Sequence, residues 1–301
     1  MSSLVIISFL FSPTKIVFLD DIFSLWHRLW PVFLFGWTIL LILYVLNVVG
    51  FMSNTKEGLL FHKVFKAFRR AVDSYGLIAE HDHILVGLSG GKDSLALLEL
   101  LGQYKRTGHV DFLMTALHVS MSNIPYQSDT EYLRSFAERC GASFIHSVTS
   151  FDMSTDKRKT PCFLCSWSRR KRFFDVAKEL GCRKIALGHH KDDILRTLLM
   201  NLTFQGSFGT MPPLLKMDKF EMSIIRPLAL IEEHELAELA VAHQYVGQKV
   251  VCPYETASHR ESMKAVMDRL AEMNPHVKSS MWNAMEHVQL DYLPKKIMTN
   301  E

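Results

Sequence analysis

One string, Ser89-Gly90-Gly91-Lys92-Asp93-Ser94, constrains this chain more than any other. It follows a short apolar run, His83-Ile84-Leu85-Val86-Gly87-Leu88, of the kind that forms a buried parallel strand. It opens a leucine-rich helical stretch over residues 94–101. Strand, glycine turn and helix in that order put the turn at the carboxyl end of a strand, where open parallel sheets bind ligands. Gly90 and Gly91 let the backbone turn tightly and bring its N–H groups close to an anion. The helix that follows adds its positive N-terminal end. Ser89 and Ser94 offer hydroxyls, Lys92 a charge, and Asp93 a candidate magnesium ligand. The loop is too short for a Walker A motif, which needs four residues between its first glycine and Gly-Lys-Ser/Thr. A bare Ser-Gly-Gly would be satisfied by an ordinary tight turn; the six-residue string in this context is far more specific.

The strand–helix alternation continues. Further strands are expected at 111–119, 143–148, 184–188 and 224–228, the last stopped by Pro227. Helices are expected at 59–75, 128–140, 166–180, 193–202, 231–243 and 259–273, and the Gly- and Pro-containing segment 204–220 reads as loop. The result is an α/β chain: a parallel sheet of about five strands with helices on both faces, preceded by an N-terminal helix. That first helix is amphipathic, with Leu60, Phe61, Val64, Phe65, Phe68 and Val72 on one face and Lys63, Lys66, Arg69 and Arg70 between them.

The first 51 residues differ from the rest, so the chain divides into an apolar extension, 1–51, and a body, 52–301. Residues 31–51 are apolar and long enough to span a bilayer. Lys56, Lys63, Lys66, Arg69 and Arg70 follow closely, which would keep the body on the cytoplasmic side. The competing reading is an over-extended start, since Met52-Ser53-Asn54-Thr55-Lys56 resembles the beginning of a soluble protein. In both readings the body is cytoplasmic. The formal net charge of +3 demands no nucleic-acid partner but leaves room for a local basic patch.

The five cysteines do not form a secreted disulfide pattern. Cys162 and Cys165 stand three apart before the helix expected at 166–180, and two thiolates so spaced grip one metal or one cluster. Two ligands are not a full site. Cys252 is the best third candidate, with Glu255 or His259 as options for a fourth, while Cys140 and Cys182, next to glycines, read as packed core thiols. Structural zinc or a redox pair is the alternative for a CxxC alone. Lys157-Arg158-Lys159 and Arg169-Arg170-Lys171-Arg172 flank the pair. A charge run is usually a solvated face, yet beside a site these become candidate phosphate contacts for RNA.

These motifs occur together and in order. The six-residue loop is followed by Pro161-Cys162-Phe163-Leu164-Cys165-Ser166 with Arg169-Arg170, then Gly188-His189-His190-Lys191-Asp192-Asp193, Gly209-Thr210-Met211-Pro212-Pro213, Ile225-Arg226-Pro227-Leu228 and Cys252. The set, over residues 59–290, resembles the tRNA 2-thiocytidine synthetase (TtcA) family of PP-loop ATP-pyrophosphatases. The resemblance implies a PP-loop (adenine nucleotide alpha hydrolase-like) fold. It implies an ATP-dependent tRNA sulfurtransferase that replaces the 2-oxygen of cytidine 32 in the anticodon loop through an adenylated intermediate. It implies a 4Fe-4S cluster on Cys162, Cys165 and Cys252, with Glu255 standing where the family has a second CxxC cysteine. Lys92 and Asp93 then carry catalysis, and Ser89, Gly90, Gly91, Lys92, Asp93, Ser94, Gly188 and His189 bind ATP. Asp93, Asp192 and Asp193 are the Mg²⁺ candidates; helix capping is the alternative for the last two. The partners are tRNA and a sulfur donor such as a cysteine desulfurase, and a homodimer is compatible. Phe163, Trp167 and Phe208 are candidates to stack on the target base, against core packing for each. Alternatives are a thiolase for another pyrimidine, or a zinc-stabilised nucleotide- or RNA-binding module without catalysis.

Overall fold

The computed structural model describes residues 56–124, 128–152, 160–218, 220–248 and 259–294, with side chains in the last segment from residue 262. Residues 31–51, Lys157, Arg158, Lys159, Cys252, Glu255 and the side chain of His259 lie outside that description. Among the described residues no helix is long and apolar enough to cross a membrane.

The chain alternates strand and helix: α1 (Lys56–Tyr75), β1 (His83–Gly87), α2 (Lys92–Arg106), β2 (Leu113–Met121), α3 (Thr130–Arg139), β3 (Ser143–Thr149), α4 (Pro161–Glu179), β4 (Lys184–Ala186) and α5 (Lys191–Met200). Two short strands, β5 (Leu214–Lys216) and β6 (Ser223–Ile225), precede α6 (Glu233–Ala242), α7 (His259–Met273) and α8 (Val277–Glu286). The sheet order is β3-β2-β1-β4-β6-β5. All neighbours are parallel except β5, which runs antiparallel to β6.

Period-two alternation divides the core. On β1, Ile84 and Val86 join one cluster with Val64 and Phe68 of α1 and the leucines of α2. Leu85 faces the other side, with Leu117, Val176, Ala177 and Ile185 beneath α4. The central strands are apolar on both faces because helices cover both. Each fully buried leucine contributes about 1.5–3 kcal/mol.

Three features depart from the sequence expectation. Among the described residues the sheet has six strands, not about five: β5 lies inside the segment read as loop, and three residues after a Pro-Pro pair are too short to show a period. Its pairing with β6, Leu214 opposite Ile225, is a tertiary event. Helix α8 was not anticipated; it packs Trp282 and Met281 against Ile194, Leu195 and Met267. Finally, α4 starts at Pro161 rather than at 166, because Thr160 Oγ1 accepts the Phe163 N–H at 3.3 Å and proline occupies the first turn. Cys162 and Cys165 are therefore in the helix, on its first turns.

Candidate active site

β1 lies between β2 and β4, and the chain leaves it in one direction through β2 and β3 and returns on its other side at β4. Strand order switches between β1 and β4, so a crevice opens at their carboxyl ends. A cavity of about 430 Å³ occupies it, bordered by Ser89, Gly91, Asp93 and Ser94 after β1 and by Gly188, His189, His190 and Asp193 after β4. The two loops touch: a Cβ on Gly188 would stand 3.2 Å from the carbonyl carbon and oxygen of Asp93. Glycine at 188 is what lets the second loop approach the start of α2.

The Ser-Gly-Gly turn is held by its own hydroxyls. Gly90 N–H donates to Ser94 Oγ at 3.1 Å, and Gly91 N–H to Ser89 Oγ at 3.3 Å. Ser94 Oγ in turn donates to the Gly91 carbonyl at 2.9 Å. From far along the chain, Gln248 N–H donates to the Gly90 carbonyl at 2.9 Å, and Gln248 Oε1 accepts from Asp129 N–H at 2.6 Å.

The charged groups at the cavity are interlocked. Lys92 Nζ stands 3.1 Å from Asp93 Oδ1 and 3.7 Å from Glu233 Oε1. Arg196 donates to Glu233 Oε2 at 2.7 Å. Burial works to raise the Glu233 carboxyl, but the Arg196 bond and the charges of Arg196 and Lys92 outweigh it, so it lies below the usual carboxylate range. One glutamate from the start of α6 thus holds two cations at the rim. Neither Arg196 nor Glu233 was singled out from sequence. Arg196 had a usable signal, since it stands three residues after Asp193 on the same helix face. Glu233 had none.

The paired acids after β4 separate. Asp192 is buried and does not border the cavity: Lys278 Nζ stands 2.7 Å from Oδ1, and Glu233 N–H donates to Oδ2 at 2.7 Å. Burial raises its pKa and these partners lower it further than burial raises it. Lys278 also bonds Glu232 at 2.8 Å, and Lys191 bonds the same glutamate at 3.3 Å. Asp193 instead borders the cavity, accepting the His190 N–H at 3.3 Å as a helix-capping group. Arg226, of the Ile-Arg-Pro-Leu segment, is buried and donates to the Pro212 carbonyl at 2.6 Å. It ties the Met-Pro-Pro loop to β6.

Of the described cysteines, Cys162 is exposed and Cys165 half-buried, both near the positive N-terminal end of α4. Cys140 and Cys182 are buried as expected. Burial, with the Glu99 charge adding to it, pushes the Cys140 thiol up to about 12, and burial pushes Cys182 to about 11. Farther along α4, Arg169 and Phe173 reach the cavity wall. The cysteine helix and the phosphate loop therefore border one space.

The other basic residues of α4 divide by task. Arg172 donates to Ser147 Oγ at 2.7 Å and to Glu179 at 3.0 Å, and so belongs to the fold. Arg170 and Lys171 are exposed, with Lys171 Nζ 5.7 Å from the Trp167 ring centre. Phe163, Trp167 and Phe208 are exposed, at 42%, 52% and 56%, so none is core.

A family model described as the PP-loop domain matches residues 61–246. The tRNA-cytidine(32) 2-sulfurtransferase of Syntrophotalea carbinolica is 34% identical over 241 residues, covering 79% of this chain and 93% of the relative. The enzyme of the same name from Geobacter sulfurreducens is 34% identical over 244 residues, covering 79% and 94%. Among solved structures, the U34-tRNA thiolase NcsA from Methanococcus maripaludis, determined with its 4Fe-4S cluster, superposes with a TM-score of 0.62. It has 25% identity and covers 80% of this chain and 82% of that one.

Proposed function

This chain belongs to the tRNA-cytidine(32) 2-sulfurtransferase family of PP-loop proteins, and on that premise we propose that it thiolates cytidine 32 of tRNA in an ATP-dependent reaction. What supports the reading most is the shared cavity: the phosphate loop forms one wall and the helix bearing Cys162 and Cys165 forms another.

A pyrimidine carbonyl oxygen is a poor leaving group. In this reading the 2-oxygen of cytidine attacks the α-phosphorus of ATP, the bond from that phosphorus to the pyrophosphate oxygen breaks, and pyrophosphate leaves. Once sulfur has added to C2, AMP departs with the original oxygen. Lys92 and Arg196 offset the charge of the departing pyrophosphate, with the loop N–H groups and the start of α2. Gly188 and His189 border the nucleotide from the β4 side. Asp93 and Asp193 would hold Mg²⁺, which shields phosphate charge; Asp192, the third candidate, is engaged by Lys278.

Cys162 and Cys165 fit a cluster: two accessible thiols on the first turns of one helix. Cys252 is the third ligand in this reading. A 4Fe-4S cluster so held would supply the incoming sulfur, recharged by a donor of the cysteine desulfurase type. The target base leaves its loop to reach the site, where exposed Phe163 and Trp167 offer rings for stacking and Arg170 and Lys171 offer charge. Lys157, Arg158 and Lys159 complete the proposed phosphate contacts. Such an enzyme works in the cytoplasm.

Nucleoside analysis of tRNA from a strain lacking the gene tests this directly. The expected result is loss of 2-thiocytidine, restored by the wild-type gene. Unchanged 2-thiocytidine overturns the assignment, and selective loss of a 2-thiouridine moves the substrate to the base acted on by the Methanococcus neighbour. Anaerobic purification tests the metal: a brown protein is expected, whereas a colourless one with stoichiometric zinc removes the cluster.

A further inference from the structure

A second concave surface lies outside the ATP cavity. Helix α1 buries Val64, Phe68, Ala71 and Val72 in the core and turns a basic face outward. Between that face and the start of α6 runs a groove of about 880 Å³, lined in part by His62, Lys66, Arg69 and Arg70. Three carboxylates also line it: Glu235 is paired with Lys63 at 2.9 Å, Glu232 with Lys191 and Lys278, and Asp73 bonds the Tyr104 hydroxyl. Among the described residues no ion pair engages Lys66, Arg69 or Arg70; Arg69 contacts His109 at 3.3 Å. Lys63, Lys66 and Arg70 repeat at three and four residues and so form one stripe along the helix.

We propose that this groove binds the phosphodiester backbone of the tRNA substrate, apart from the target base. The inference rests on the tRNA thiolase reading and extends it. The charge is complementary to RNA, and its placement beside the site follows from α6. Glu232 lines the groove while the next residue, Glu233, lines the ATP cavity and holds Lys92 and Arg196. A strand in the groove therefore passes within one residue of the catalytic rim. A tRNA is far larger than a 430 Å³ cavity, so most of its contacts fall on surface beyond it. A concave groove suits a nucleic-acid strand better than an anionic bilayer, whose flat face would meet only the rim. Contacts of this kind position RNA and carry no sequence information.

The test uses the full chain with Lys66→Glu/Arg70→Glu, and a milder Lys66→Gln/Arg70→Gln as a control for folding, verified by thermal melting. Filter binding of purified tRNA is measured across a salt series, alongside ATP binding and flotation with phosphatidylserine vesicles. The reversal is expected to weaken tRNA binding at least tenfold and to make log K against log salt shallower by about the contribution of two phosphates. The milder variant falls between, and ATP binding stays within twofold. Unchanged tRNA affinity and slope overturn the groove while leaving the thiolase reading intact. Loss of vesicle binding with tRNA binding unchanged also overturns it. If the wild-type chain retains no tRNA at any salt, the tRNA reading fails and takes the groove with it.

Discussion

The side chain of Gln248 lies over Gly90 so closely that no Cβ fits between them: an added methyl at 90 would stand 2.4 Å from Gln248 Cγ and 2.8 Å from its Cβ. Gly90 also has φ +86, a region that L side chains avoid. Gly90→Ala is therefore opposed twice, by backbone strain of about 1–2 kcal/mol and by a collision that Gln248 cannot relieve while its amide bonds Gly90. The expected outcome is a loop displaced from its anion-binding shape. Calorimetric ATP affinity should fall at least about tenfold, which is about 1.4 kcal/mol. Unaltered ATP affinity would show that the loop tolerates opening at this point.

Lys92 meets Glu233 and Asp93 at the cavity and, in the proposed reaction, the pyrophosphate. Lys92→Ala should lower kcat by about 10²–10³-fold, the usual loss for one electrostatic contact made in the transition state. The visible absorbance of the cluster should not change, since Lys92 pairs with Asp93 and Glu233 and is no ligand candidate. Single-turnover thiolation beside an absorbance spectrum separates the two. A colourless Lys92→Ala protein would contradict the division of labour.

Thiol reactivity should follow burial. Iodoacetamide at pH 8 should label Cys162 readily in metal-free folded protein and Cys165 more slowly, because one is exposed and the other half-buried. Cys140 and Cys182, with thiols raised to about 12 and about 11, should react only on unfolding. Mass spectrometry of the labelled peptides reads this out. With cluster present, Cys162, Cys165 and Cys252 should all be protected, Cys252→Ala should abolish the protection, and Glu255→Ala should leave it.

Lys278 pairs with Asp192 and Glu232, whose carboxyls both lie below the ordinary range despite burial. A depressed carboxyl means that the unfolded chain binds more protons than the native one in acid. The stability it contributes is fully present above the unfolded value near about 4 and is lost as pH falls through the folded value. Lys278→Met removes the partner and should cost about 2–4 kcal/mol at pH 7, because a buried carboxylate is left uncompensated. Urea unfolding should show the gap between wild type and variant narrowing steadily below about pH 4. A gap of the same size at pH 3 and pH 7 would assign the loss to packing instead.

Much of this was legible because it is local. His83 to Ser94 encodes a buried strand, a glycine turn and a helix start within one short segment. The CxxC was equally plain, although its place inside α4 depended on reading Thr160-Pro161 as a cap. The acidic pair after β4 was legible only as a pair. Asp193 caps its own helix, but Lys278, the residue that claims Asp192, is 86 positions away and carries no mark in sequence.

Sequence by itself determined the alternating α/β plan, the phosphate loop and the chemistry of its side chains, since each depends on residues within a few positions of one another. It also marked Cys140 and Cys182 as core thiols by their glycine neighbours, and both are buried. Tertiary structure alone decided what surrounds the loop. It laid Gln248 over Gly90, set Glu233 between Lys92 and Arg196, and brought the cysteine helix to the same cavity wall. Those placements join segments that are dozens to more than a hundred residues apart, and they follow from a strand order that switches between β1 and β4, which no local period encodes.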